Sequence, residues 1–268
     1  MVQMSDGKPI LWQLEISHYS EKARWALAHK EVAHIRRSPM PGMHIPIALA
    51  LTRGAHHILP VLQLEGRTIA DSTAVIAAIE ERYPDPPLYP ADPEQRRRAL
   101  ALEDFFDEEL GPHTRLLPFY ELINEPEMFA EVASVAVPGP LGNAKGFIGA
   151  YARIYTSLRF GANSDEAAAV ARTKIAAAMD RLDAELAANG GGYLVGDRFS
   201  VADLTAASLF YPLVAPDEGP LPADSPTPPA LERFRDGLRD RPGYLWVEEI
   251  FRRHREPAQP AGATGRSL

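Results

Sequence analysis

Residues 84–93 read Pro-Asp-Pro-Pro-Leu-Tyr-Pro-Ala-Asp-Pro, five prolines in ten positions, and no other feature limits the fold as much. Proline lacks an N–H and has a fixed φ, so the stretch can be neither helix interior nor central strand. It reads as a linker over 84–92, between segments of different periodicity. Ahead of it, residues 10–14 form a short apolar strand, 21–30 a helix, 32–36 a second strand and 46–51 a short helix. Val61-Leu62-Gln63-Leu64 and Arg67-Thr68-Ile69 flank Glu65-Gly66 as a hairpin. A last helix opens at Asp71-Ser72, with Val75, Ile76, Ile79 and Tyr83 on one face. The order is β-α-β-α-β-β-α within residues 1–83.

Past the linker no stretch has the period of a strand. Residues 94–110 make a charged helix, in which Glu103-Asp104 and Asp107-Glu108-Glu109 read as solvated faces. Residues 165–189 place Ile175, Met179, Leu182 and Leu186 at helical spacing and stop at Gly190-Gly191-Gly192. Residues 200–213 are almost wholly apolar, as a central helix would be. With 231–238 and 244–253 they complete an all-helical domain over 93–255. A second proline-rich stretch, 216–229, reads as a surface connection, and the tail 256–268 has the composition of disordered chain. The fold class is α/β plus all-α.

Composition then removes chemistry. The 268 residues include no cysteine, which excludes disulfides, thiolate metal sites and a cysteine nucleophile. A net charge of −8 argues against a nucleic-acid-binding face. The first nine residues lack a basic region followed by an apolar run. No stretch nears the roughly 18 apolar residues of a membrane span. A cytoplasmic protein without membrane or nucleic-acid partners is the expectation. Six of the eight histidines precede residue 58, at spacings that match no metal motif, so no metal is expected.

Three local patterns, in order, resemble the glutathione S-transferase superfamily. The first is Ile16-Ser17-His18-Tyr19-Ser20-Glu21-Lys22-Ala23-Arg24-Trp25-Ala26-Leu27, similar to the first strand–helix corner of its thioredoxin-like domain. The second is His57-Ile58-Leu59-Pro60-Val61-Leu62, followed by Asp71-Ser72. The third is Gly196-Asp197-Arg198-Phe199-Ser200-Val201-Ala202-Asp203, where Ser200 and Asp203 have capping-box spacing. The resemblance covers residues 9–83 well and 93–255 loosely, and it implies a thioredoxin-like domain followed by a helical bundle.

It also implies a site for the thiol of glutathione, or of another small thiol, as co-substrate. Ser17 matches the catalytic position of serine-type members, and Gln13 stands about where tyrosine-type members carry their tyrosine. Tyr19 reads as a packing residue. Serine at both ends of Ser17-His18-Tyr19-Ser20 makes disulfide exchange impossible, so the thiol must arrive with the ligand. A hydrogen bond to a charged acceptor contributes about 1.5–3 kcal/mol and an exposed helix N-terminus about 0.3–1. That sum brings a thiol of pKa about 8.5 to roughly 6–7. By position alone, Ser17 could equally be only a helix cap.

Leu59-Pro60 would ordinarily be trans; the family's proline here is cis and opens Leu59 to pair with an extended peptide. Asp71-Ser72 is a plain helix cap on its own evidence, and by resemblance also receives the γ-glutamyl end. Ile58 stands where many relatives carry Lys or Gln, which leaves His57 or His44 to meet the glycine end. In the second-substrate pocket the resemblance points to His113, Arg115 and Tyr120. The segment 124–160, with Tyr151, Tyr155 and Arg159, either covers that pocket or enlarges the helical domain. The implied function is attack of the activated thiol on a small hydrophobic electrophile by a homodimer. A non-catalytic binding protein and a glutathione-dependent isomerase or dehalogenase are the alternatives.

Overall fold

A computed structural model describes residues 7–135, 137, 143–221 and 224–255. The tail expected to be disordered, 256–268, and Pro138-Gly139-Pro140 lie outside them. Strands β1 (Ile10–Trp12), β2 (Ile35–Arg37), β3 (Val61–Leu64) and β4 (Arg67–Ala70) form a sheet in the order β2-β1-β3-β4. β1 runs parallel to β2 and antiparallel to β3, pairing Ile10 with Ile35 and Leu11 with Leu62. The β3–β4 hairpin turns at Glu65 and Gly66, both at positive φ (47° and 80°), as a two-residue turn matching strand twist requires. Helices α1 (His18–His29), α2 (His44–Leu51) and α3 (Ser72–Arg82) complete this thioredoxin-like unit.

The rest of the described chain is helical: α4 (Pro93–Glu109), α5 (Gly111–Ile123), α6 (Pro126–Val135), α7 (Lys145–Phe160), α8 (Asp165–Ala188), α9 (Val201–Val214), α10 (Pro229–Asp236) and α11 (Pro242–His254). Local chemistry starts several of them. Asp92 accepts the Gln95 N–H at 2.9 Å with Pro93 in the first turn, and Ser164 accepts the Ala167 N–H at 3.1 Å. α9 is buried along nearly its whole length, and α1, α4, α5 and α11 pack around it.

One apolar core crosses the boundary between the halves, running from Leu11, Trp25 and Ile76 through Phe106 to Met179 and Phe210. Trp25 of α1 lies against Phe251 and Phe199, with ring centroids 4.6 and 5.6 Å away, and its indole N–H donates to the His254 carbonyl at 2.9 Å. The linker is a packed strap rather than a loose spacer. Leu88 is fully buried, its N–H reaches the Glu80 carboxylate at 3.1 Å, and its carbonyl accepts the Val201 N–H at 2.8 Å. The proline stretch thus supplies a backbone acceptor to the first turn of α9.

The Ser200–Asp203 capping box closes that same terminus. The Asp203 carboxylate accepts the Ser200 N–H and hydroxyl, each at 2.8 Å, and the Leu194 N–H at 2.7 Å. It is fully buried, and burial pushes its pKa up to about 6 against the pull of these donors. Asp203→Ala strands two buried N–H groups and should cost about 3 kcal/mol or more, against about 1 kcal/mol for Ser200→Ala. Urea unfolding of the two variants checks the order; equal losses would refute the carboxylate's larger share.

Candidate active site

β1 ends at Trp12, and the chain runs as loop until Ser17 caps α1. Arg24 organises this loop. Its guanidinium donates to the Gln13 side-chain oxygen at 2.9 Å, the Leu14 carbonyl at 3.3 Å and the Glu15 carbonyl at 2.9 Å. Glu21, buried, faces Arg24 at 2.7 Å and Arg255 at 2.5 Å, and the two arginines hold its carboxyl below the usual range against the effect of burial. The Tyr211 hydroxyl of α9 donates to the Ile16 carbonyl.

The two serines of the corner separate by environment. Ser20 is fully buried and accepts the Leu14 N–H at 3.1 Å. Ser17 is half-buried, lines a cavity, and accepts the Ser20 N–H at 3.3 Å. That cap uses the oxygen as an acceptor and leaves the hydroxyl hydrogen available to the cavity. Between them, His18 is buried with Nε2 2.8 Å from the Gly111 carbonyl, and the Tyr19 hydroxyl donates to the Asp107 carbonyl at 2.9 Å. Gly111 is required there, because a Cβ would stand 2.2 Å from that hydroxyl.

Leu59, Pro60, Asp71 and Ser72 border the same cavity, and the Leu59–Pro60 bond is cis. Asp71 sits at φ 79°, a region a non-glycine residue seldom enters. One carboxylate oxygen accepts the Thr73 and Ala74 N–H groups at 2.9 and 3.2 Å. Ser72 opens α3 with its side chain turned inward, 3% exposed. Ile58 lines the cavity, and so does His44, whose Nδ1 accepts the Gly42 N–H at 3.0 Å. Burial first, then the charges of Arg159 and His57, lowers the His44 pKa to about 4. His57 stands outside the lining, exposed, with Nε2 3.1 Å from the Arg159 guanidinium.

The cavity is about 650 Å³, and α5 and α7 form its far wall. Thr114, Arg115, Pro118, Phe119 and Leu122 of α5 face it. His113 and Tyr120, expected in this pocket, project from the opposite side of α5, since a residue every 100° puts both about half a turn from the centre of that stripe. Tyr120 instead donates to Asp165 at 2.7 Å. From α7, Tyr151, Tyr155 and Arg159 reach the cavity at a spacing of four; Tyr151 donates to the Pro41 carbonyl at 2.9 Å. The described residues of the 124–160 segment do both: α6 and α7 enlarge the helical unit and contribute to the cavity wall. The Tyr211 contact has no local sequence signal, because it joins residues 195 apart.

Arg115 stands apart among these groups. Its Nε is buried without a hydrogen-bond partner, and its guanidinium lies over the Phe160 ring, 4.5 Å from the centroid. The groups that act on its charge are Tyr19, Arg159 and Tyr155, with no carboxylate among them, and burial lowers its pKa. Among the described residues, no three His, Asp or Glu side chains converge to hold a metal, and no helix is long and apolar enough to cross a membrane.

Burial, and secondarily Arg115, lowers the His18 pKa to about 3, so the ring is neutral at ordinary pH with Nε2–H donated to Gly111. Above pH 6.5 the folded and unfolded states are both neutral here. Below it the unfolded chain takes up the proton first, so stability falls from pH about 6.5 down through about 3. NMR should find no titration of His18 between pH 5 and 8, and His18→Gln should flatten the stability–pH curve over 4–6. A His18 resonance titrating near 6.5 would contradict this.

The family model for the glutathione S-transferase N-terminal domain matches residues 11–87, and that for the C-terminal domain matches residues 140–242. A probable maleylacetoacetate isomerase of Caenorhabditis elegans is 25% identical over 243 residues, 90% of this chain and 94% of that protein. Among solved structures, the holo form of a bacterial zeta-class maleyl pyruvate isomerase superposes with a TM-score of 0.60 at 23% identity, covering 94% of this chain and 98% of that one. A theta-class glutathione S-transferase of Xanthomonas axonopodis pv. citri with glutathione bound gives 0.53 at 23%, covering 89% and 96%. At these identities the structures attest the shared fold. The two family domains, in their order on a chain with this sheet and this helical bundle, make the protein a member of the glutathione S-transferase superfamily.

Proposed function

We propose that this glutathione S-transferase-like enzyme activates the thiol of glutathione for attack on a small electrophile. The observation that carries the reading is Ser17, whose hydroxyl borders a 650 Å³ cavity while its capping bond leaves the hydrogen free. The hydroxyl donates to the sulfur and, with the N-terminus of α1, favours thiolate over thiol. No base is needed, because a thiolate is already a nucleophile. The Leu59 backbone aligns the cysteinyl part, Asp71 takes the γ-glutamyl ammonium and Ser72 its carboxylate. His44, with His57 held beside Arg159, supports the glycine end in place of the side chain that Ile58 lacks. Chemistry is then positioning plus a preformed thiolate. A cytoplasmic homodimer goes with this reading.

A second reading is glutathione-assisted isomerisation of an anionic substrate, in which the thiolate adds, a bond rotates and the thiolate leaves. Two observations favour it. Several relatives, among them those of Caenorhabditis elegans and Rattus norvegicus, are named as maleylacetoacetate isomerases. Arg115, unpaired at the cavity wall, would suit a substrate carboxylate. Either reading uses the same thiol site.

Removing the Ser17 hydroxyl should raise the pKa of bound glutathione by about 1–2 units, the equivalent of about 1.5–3 kcal/mol. Conjugation of a generic aryl halide should slow by about 10- to 100-fold in kcat/KM for Ser17→Ala. Calorimetry should show glutathione binding in both proteins; no binding at millimolar glutathione sinks the assignment, and equal rates remove Ser17 from the chemistry. Arg115→Gln should weaken an anionic substrate about tenfold or more while leaving aryl halide turnover within a few-fold.

A further inference from the structure

Lys22 has no exposed side-chain surface. From α1 its ammonium reaches Glu103 at 2.8 Å and Asp107 at 2.7 Å, both on α4, and the Thr73 hydroxyl oxygen at 2.9 Å in the first turn of α3. The Thr73 hydroxyl donates in turn to the same Asp107 oxygen at 2.7 Å, and the Asp107 carbonyl is the acceptor for Tyr19. The expectation of a solvated acidic face on α4 holds for the exposed Asp104 and Glu108 but fails for Glu103 and Asp107. Glu103 is fully buried and Asp107 is 18% exposed, because Lys22, hidden in the sequence of an amphipathic helix, supplies the countercharge.

A buried ammonium among carboxylates is a poor source of net stability, since desolvation offsets most of the attraction, and apolar side chains of similar size would join three helices as well. What such a cluster adds is direction. Two directed N–H bonds, to Thr73 and Asp107, together with the ion pair to Glu103, allow one register, where apolar surfaces allow several. Register matters here because Ser17 caps α1 while Asp71 and Ser72 open α3, and no sheet ladder pairs the two termini.

We infer that Lys22 is a positioning residue: held by α4 and bonded to Thr73, it sets the separation between the sulfur end and the γ-glutamyl end of the thiol site. The inference rests on the thiol-binding reading above and extends it, since Lys22 is absent from the cavity wall. The spacing of the two ends is fixed by a helix of the other half of the molecule, through Glu103 and Asp107.

Two thiols separate positioning from general support. Glutathione needs both ends of the site, whereas cysteinylglycine lacks the γ-glutamyl group and needs only the sulfur end and the Leu59 strand. Calorimetry on the full chain should find glutathione binding weakened about tenfold or more by Lys22→Met and by the milder Thr73→Val. Cysteinylglycine binding should change less than about twofold, and the pKa of the bound thiol, read from thiolate absorbance, should shift by less than about 0.3 unit. Thr73→Ser, which keeps the hydroxyl, should restore glutathione affinity. Equal losses for both thiols, or no loss with either variant, overturns the inference. If Lys22→Met does not fold, Lys22→Gln, also off the cavity wall, takes its place with the same expected outcomes, because Thr73 itself lines the cavity. A wild-type protein that binds neither thiol overturns the thiol site itself and this inference with it.

Discussion

Between Trp12 and Ser17 the backbone has left the sheet and not yet entered a helix, so its carbonyls have no regular partners. Arg24 bonds those of Leu14, which also accepts the Ser17 N–H, and Glu15, and Tyr211 bonds that of Ile16. Arg24 is itself held by Glu21, and Glu21 by Arg255. An unpaired buried carbonyl is costly, so these side chains decide where the loop can lie. The position of the Ser17 hydroxyl follows from that. Two of the anchors, Tyr211 and Arg255, come from the far end of the chain, and so the first turn of the site is set only when the helical half is in place.

Legibility in the sequence tracked the range of the interaction. Ser200–Asp203, Asp71-Ser72 and the Glu65-Gly66 turn act over two or three residues, and each leaves a pattern in the letters. Ser17 is legible as a helix cap because the bond to the Ser20 N–H is local to one corner. Helix phase was harder. α5 carries Pro118 and aromatic residues on several sides, so Arg115 could be picked out but His113 and Tyr120 could not be assigned to the opposite face. The burial of Glu103 and Asp107 leaves no local pattern, because solvation of an acidic run is the ordinary outcome and the residue that reverses it lies 81 positions earlier than Glu103. The link from Leu88 to Val201 is beyond any local rule.

The cavity wall carries both signs of charge. Asp71, Asp104, Asp107 and Glu108 line it, and so do Arg115 and Arg159. A ligand ammonium suits the carboxylates, and an acidic group suits the guanidinium groups. The net charge of −8 is therefore a poor guide to what the site admits. Local guanidinium groups set the field an incoming molecule meets at short range, because charges beyond about a Debye length are screened.

The strap at Leu88 bears on how such a protein can be taken apart or recombined. Two family domains invite exchange of one half for that of a relative. Here the linker supplies the carbonyl that accepts the first N–H of α9, and Trp25 packs against Phe199 and Phe251. A fragment ending before residue 84 would leave the Trp25 face of α1 bare to water. The unit that must be inherited whole is the α1–α9 interface with its strap, and the boundary drawn by the prolines runs through the middle of it.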